Sequence, residues 1–198
     1  MRGVILDAHG AIAGRVQDAP GEAPYATVEI DAYGPGSADE APERIVTRHA
    51  GSTTTLRDGS YEIQGLAAGE YILEVHCRGR ATILSGRIAL AVGARVAGQD
   101  FHLSPGCAIE GKVRDAQGEP VRTSRFALRH AGDGWSVPLP SLSTKYPSHE
   151  DGYYCLDGLA EGDYVLVVEA EGFQSVERRV RVELRERPTV DIVLIPAK

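Results

Sequence analysis

The sequence predicts an all-β chain folded as two successive sandwiches of antiparallel sheets. Three observations carry this. A phrase of eighteen residues is written twice, as "DGSYEIQGLAAGEYILEV" from Asp58 to Val75 and "DGYYCLDGLAEGDYVLVV" from Asp151 to Val168, with ten positions identical. The segments around it alternate apolar and polar residues with period two, the mark of strands with one buried face. No stretch shows a helical stripe of useful length.

The elements follow in order. "GAIAGRVQDAPGEAP" (Gly10 to Pro24) returns as "CAIEGKVRDAQGEPV" (Cys107 to Val121), with Ile12 matching Ile109. In "ATVEIDAY", Ala26, Val28 and Ile30 share one face and Thr27, Glu29 and Asp31 the other. "EYILEVHC" puts Tyr71, Leu73, Val75 and Cys77 together, and "DYVLVVEA" does the same with Tyr164, Leu166, Val168 and Ala170. Asp58-Gly59 and Asp151-Gly152 suit tight turns, because glycine accepts positive φ and aspartate bonds to the backbone two residues on. Gly65 to Gly69 and Gly158 to Gly162 bracket short hairpin connections whose leucines, Leu66 and Leu159, are placed to plug the end of a core. Short strands at this spacing describe a sandwich.

In both halves the pattern "I.G.V.DA.GEP", followed by "DG.Y.I.GL..G.Y.L.V...G", resembles the carboxypeptidase regulatory-like domain. The resemblance covers nearly the whole chain. It implies two tandem immunoglobulin/transthyretin-like β-sandwiches, of the kind used as accessory and spacer modules in secreted or envelope-associated proteins. The expected division is residues 10–105 for the first repeat and 106–198 for the second. Residues 1–9 read as the last strand of a preceding unit, since "GVILDAHGAI" takes the place of "DFHLSPGCAI"; the rival reading makes them an edge strand of the first. The link "HLSPGCAIEG" leaves about five residues between units, short enough to make the join semi-rigid.

Composition narrows the function. The net charge is −7 over 198 residues, and nucleic-acid binders carry a basic stripe that displaces counterions. Here "VERRVRVELRERP" interleaves acids with its arginines and reads as a solvated strand face. No apolar run reaches the ~20 residues that cross a bilayer, so no membrane insertion is expected, and no signal-peptide pattern opens the chain. The partners expected are neighbouring domains of the same polypeptide and a protein or glycan, with no nucleic acid.

Chemistry is sparse. The histidines (His9, His49, His76, His102, His130 and His149) stand singly, without HExxH or a Cys/His cluster. His149, Glu150 and Asp151 are adjacent, and adjacent strand residues point to opposite faces. No nucleophile elbow, Walker loop or dinucleotide fingerprint occurs. Neither "AGDGWS" nor "GSADEAPE" has the ligand spacing of a calcium loop. No catalytic residue, cofactor or metal site is assigned, and no enzyme activity is expected. Of the three cysteines, Cys107 and Cys155 fall in one repeat and could pair; the alternative is three small half-buried thiols, Cys77 included. The chain has no asparagine. That removes the lysine–asparagine isopeptide bond seen in a related adhesin module, leaving only a lysine–aspartate version. Binding is expected in the loops, chiefly Tyr33 to Thr53 and Ala131 to Glu150. The second holds the candidate contacts Asp133, Trp135, Lys145 and Tyr146. There Trp135 stacks on a sugar ring or anchors a partner, or else caps its own core. The leading function is a spacer, presentation or adhesion segment of a larger envelope or secreted protein. The alternative is a carbohydrate-binding accessory module.

Overall fold

A computed structural model describes residues 9–18, 22–24, 26–122, 124–132, 136–137, 151–184 and 186–197. Contacts divide the chain into two units, Met1–Arg78 with Thr82–Ser104, and Gly79–Ala81 with Pro105–Lys198.

In the first unit the order is β1 (Gly10–Gln17), β2 (Glu29–Gly36), α1 (Pro42–Ile45), β3 (His49–Thr54), β4 (Ser60–Leu66), β5 (Gly69–His76), β6 (Ile83–Leu84), β7 (Ile88–Leu90), β8 (Arg95–Val96) and β9 (Phe101–His102). One sheet runs β4-β1-β8, with β9 also on β1, and the facing one runs β3-β2-β5-β6, with β7 also on β5. The second unit has β10 (Cys107–Asp115), β11 (Arg125–His130), β12 (Ser136–Val137), β13 (Tyr153–Leu159), β14 (Gly162–Glu169), β15 (Val176–Val182) and β16 (Ile192–Leu194). Its sheets run β13-β10-β16 and β12-β11-β14-β15. Strand for strand this is the pairing of the first unit, with β15 in the place of the broken β6 and β7.

The doubled phrase is a corner rather than a hairpin. β4 pairs with β1, while β5 pairs with β2, so the chain crosses between sheets at the Gly-Leu-Ala turn. In the second unit β13 pairs with β10 and β14 with β11. The crossing explains the leucine. Leu66 and Leu159 sit where the two layers meet, 2% and 1% exposed. Burying a leucine side chain there is worth roughly 1.5–3 kcal/mol. Beside each plug a tyrosine hydroxyl donates to the turn's carbonyl: Tyr71 to Ala67 at 2.9 Å and Tyr164 to Ala160 at 2.8 Å.

The remaining signature residues have equally local reasons. Asp58 Oδ1 accepts the Ser60 N–H and Asp151 Oδ1 the Tyr153 N–H, both at 3.1 Å. The following glycines lie at φ +80° and +78°, where a side chain is strained. The glycine of "I.G.V" answers a different need. A Cβ at Gly14 would stand 1.9 Å from the Gln99 carbonyl oxygen, and one at Gly111 would stand 2.1 Å from that of Val190. A later segment crosses each first strand at this point and is tied there by a buried phenol, Tyr61 to Gln99 O at 2.7 Å and Tyr154 to Val190 O at 2.5 Å. Around these crossings the pairing departs from antiparallel: β1 runs parallel to β8 and β9, and β10 parallel to β16. A whole sandwich intervenes between each pair, which supplies the long connection parallel neighbours need.

Each unit has its own core. The first is built on Ile12, Val16, Val28, Ile30, Leu73 and Val75, and the second on Ile109, Val113, Leu128, Leu156, Leu166 and Val168. The expected faces of β2, β5 and β14 are the buried ones. β5 also buries Ile72 and Glu74 on its other side.

Candidate interaction surfaces

The stretch from Tyr33 to Thr53 ends β2, passes through α1 and returns as β3; α1 packs against β2 and β5, and its fastening begins with two glycines. At Gly34, φ is +149° and a Cβ would stand 2.6 Å from Glu70 O; at Gly36 a Cβ would stand 2.7 Å from Ile45 Cγ1. The space at Gly36 lets α1 drop Ile45 onto the sheet, fully buried. The Arg48 guanidinium then grips both oxygens of Glu40, at 2.9 and 2.6 Å. That hydrogen bond holds the Glu40 carboxyl below its ordinary range. Arg87 donates from across the sheet to the carbonyls of Ser37 (3.3 Å), Ala38 (3.0 Å) and Glu40. Of the acids weighed for calcium, Glu40 is thus engaged by arginine.

Further along the same strands lies a buried acid. Glu74 is 6% exposed, accepts the Tyr33 hydroxyl at 3.0 Å and faces Asp31 across the β2–β5 ladder. Burial pushes its carboxyl up, and Asp31 adds to the shift. Asp31 in turn lies 3.1 Å from His49 Nε2, and His49 meets the Tyr33 ring edge-on. The group binds β2, β3 and β5 together on the side away from the core. Sequence reasoning missed it because an outward strand position reads as solvated; the apolar Ile72 at the neighbouring outward position was the available signal.

In the second unit a polar group lies on the outer face of the other sheet, β13-β10-β16, and comprises Tyr153, Cys155, Glu110 and Lys112. Tyr153 donates to Glu110 Oε2 at 3.0 Å, and its phenol is pushed up to about 12, first by burial and then by that carboxylate. Cys155 lies opposite Glu110 on this face, and burial raises its thiol. Cys107 belongs to the core and donates to Glu183 O at 3.4 Å. All three cysteines are free, so the disulfide weighed for Cys107 and Cys155 is not formed: the two side chains stand on opposite faces of one sheet. Lys112 Nζ lies 2.9 Å from Asp151 Oδ2 as an exposed ion pair. That hydrogen bond keeps Asp151 ionised, below its ordinary range. A lysine and carboxylate of this kind are far from the neutral, dry pair that amide formation needs.

Asp133, Trp135, Lys145 and Tyr146 lie outside the described residues, as do His149, Glu150 and residues 1–8. Among the described residues no three His, Cys, Asp or Glu side chains gather to hold a metal ion. No helix among them is long and apolar enough to cross a membrane.

No curated protein matches the sequence. Among solved structures, the shaft pilin SpaA from Lactobacillus rhamnosus GG is 15% identical over 97% of this chain and 98% of that one, with a TM-score of 0.40. The minor pilin GBS52 of Streptococcus agalactiae is 15% identical over 95% and 96%, with a TM-score of 0.39. The TIE protein of Bacillus anthracis is 14% identical over 95% of this chain, which spans 33% of that protein, with a TM-score of 0.37. At these scores the likenesses carry no argument about function. The model of the carboxypeptidase regulatory-like domain matches residues 108–195. The chain carries a carboxypeptidase regulatory-like domain there, and that domain is its second sandwich.

Proposed function

We propose that this chain is a non-catalytic structural and interaction segment of a larger polypeptide, built from two copies of that domain. Its task is to space or present neighbouring domains at the cell envelope or outside the cell. The supporting observation is the use of its polar chemistry. The buried phenols of Tyr61, Tyr71, Tyr154 and Tyr164 all donate to backbone carbonyls, and Asp58 and Asp151 cap equivalent turns. Groups engaged in this way hold a scaffold and are not poised to react with a substrate. The family match over residues 108–195 agrees with an accessory role.

A glycan array probed with this chain and with Trp135→Ala tests the reading. Silence from both supports the spacer role. Binding by the parent that disappears in the variant replaces it with the carbohydrate-module reading and locates that site in the 131–150 loop.

A further inference from the structure

The arginine-rich run that looked like an ordinary solvated face becomes an edge in three dimensions. β15 closes the sheet β12-β11-β14-β15, and it pairs with β14 from Gly162↔Val182 to Val168↔Val176. Among the described residues, no strand pairs with its other side. In the first unit the same place holds two short pieces, β6 and β7, so only the second unit offers seven continuous residues.

The charges on this edge are selective. Val176, Val180 and Val182 turn toward the core and Glu177, Arg179 and Arg181 turn outward, with Arg178 exposed between them. Arg129 of β11 is held by Glu177 at 2.5 Å, and Arg181 by Glu183 at 3.0 Å. Arg178 donates to the Glu177 carbonyl at 3.0 Å. Arg179 has no acidic partner among the described residues. It stands across Val165 from Arg129, in an open groove of ≈ 400 Å³. Charged edges deter indiscriminate strand pairing, and the same charges favour a strand of opposite sign. A second copy is disfavoured, because antiparallel pairing about Arg179 sets that residue against itself.

We propose that β15 is a docking edge for an acidic, extended peptide segment of a partner protein. The segment adds as a fifth strand, with backbone hydrogen bonds supplying adhesion and its carboxylates meeting Arg178, Arg179 and Arg181. Read antiparallel to β15, its complement is Val-Glu-Val-Glu-Glu-Lys-Val: valines face valines and the lysine faces Glu177. This rests on the interaction-module reading, and the glycan array tests that reading separately.

The test is fluorescence anisotropy of that peptide, end-blocked and dye-labelled, with hydrogen exchange of residues 176–182 followed in parallel. Binding should slow exchange in β15 and weaken roughly tenfold in Arg179→Glu. A peptide with lysine opposite position 179 should restore binding to that variant. The proposal is overturned by absence of binding, by equal binding of a proline-interrupted peptide, or by equal displacement with polygalacturonate, which would mark a plain anion site.

Discussion

Gly111→Ala adds one methyl group to the first strand of the second unit, and the geometry fixes its consequence. The new Cβ would stand 2.1 Å from Val190 O, where carbon–oxygen contact needs about 3.5 Å. The crossing segment must retreat by more than ~1 Å to make room. Retreat strains two bonds at that point, Tyr154 OH to Val190 O at 2.5 Å and Val190 N–H to Glu110 O at 2.7 Å. Each is worth roughly 1 kcal/mol, and the phenol would be left buried without its acceptor. Overpacking adds about 1–3 kcal/mol, against a gain of about 0.4–1 kcal/mol from a stiffer unfolded chain. The net loss is ~3 kcal/mol, or roughly 10–25 °C in melting temperature for a unit of this size. Urea unfolding with hydrogen exchange resolved by segment measures it, and accelerated exchange should stay within the second unit. Gly132→Ala is the control, with nothing within 4 Å of its Cβ, and should change stability by less than about 0.5 kcal/mol. A Gly111→Ala loss under about 1 kcal/mol would refute the steric reasoning.

Leu66→Ala and Leu159→Ala should each cost about 2–5 kcal/mol in urea unfolding, each in its own unit, because both plugs are buried and leave cavities. Tyr71→Phe and Tyr164→Phe keep the ring and lose the bond to the corner carbonyl, so each should cost about 1 kcal/mol by the same measurement. The raised carboxyl of Glu74 binds its proton more firmly folded than unfolded. Its contribution is therefore greatest below the unfolded value of about 4.3 and declines as pH rises through the folded value. Glu74→Gln should flatten that decline, compared by urea midpoints at acid and neutral pH. Asp58, Asp151 and Glu40 carry the opposite sign, their contributions fading as pH drops toward their lowered values. The intact mass should equal the sequence mass, since a Lys112–Asp151 amide would remove one water and the pair is an exposed ion pair.

Much of this architecture is legible in the residues themselves. Alternation identified the buried faces around Ile30, Leu73 and Leu166, because burial on one side of a strand has period two whatever the partner. The same property hides pairing. Nothing local distinguishes a hairpin from a corner, so the split of β4 and β5 between sheets emerges only when both cores are assembled. Gly14 and Gly111 are similar: the segment that demands them arrives some eighty residues later. Glu74 is buried at an outward strand position beside Tyr33 and Asp31, an arrangement set by the β2–β5 register and not by any local pattern. Arg179 could be read as charged, but its lack of an acidic neighbour depends on which residues the β14 register brings beside it.

The parallel pairing of first and closing strands has a mechanical consequence. In each unit the strand where the chain enters and the strand where it leaves lie side by side and point the same way, β1 with β9 and β10 with β16. Tension along the polypeptide therefore drags these neighbours past each other lengthwise. Their hydrogen bonds bear the load together in shear and do not open one after another as in a zipper. Forced unfolding is governed by the barrier to opening rather than by equilibrium stability. A unit wired this way resists extension more than its modest core suggests.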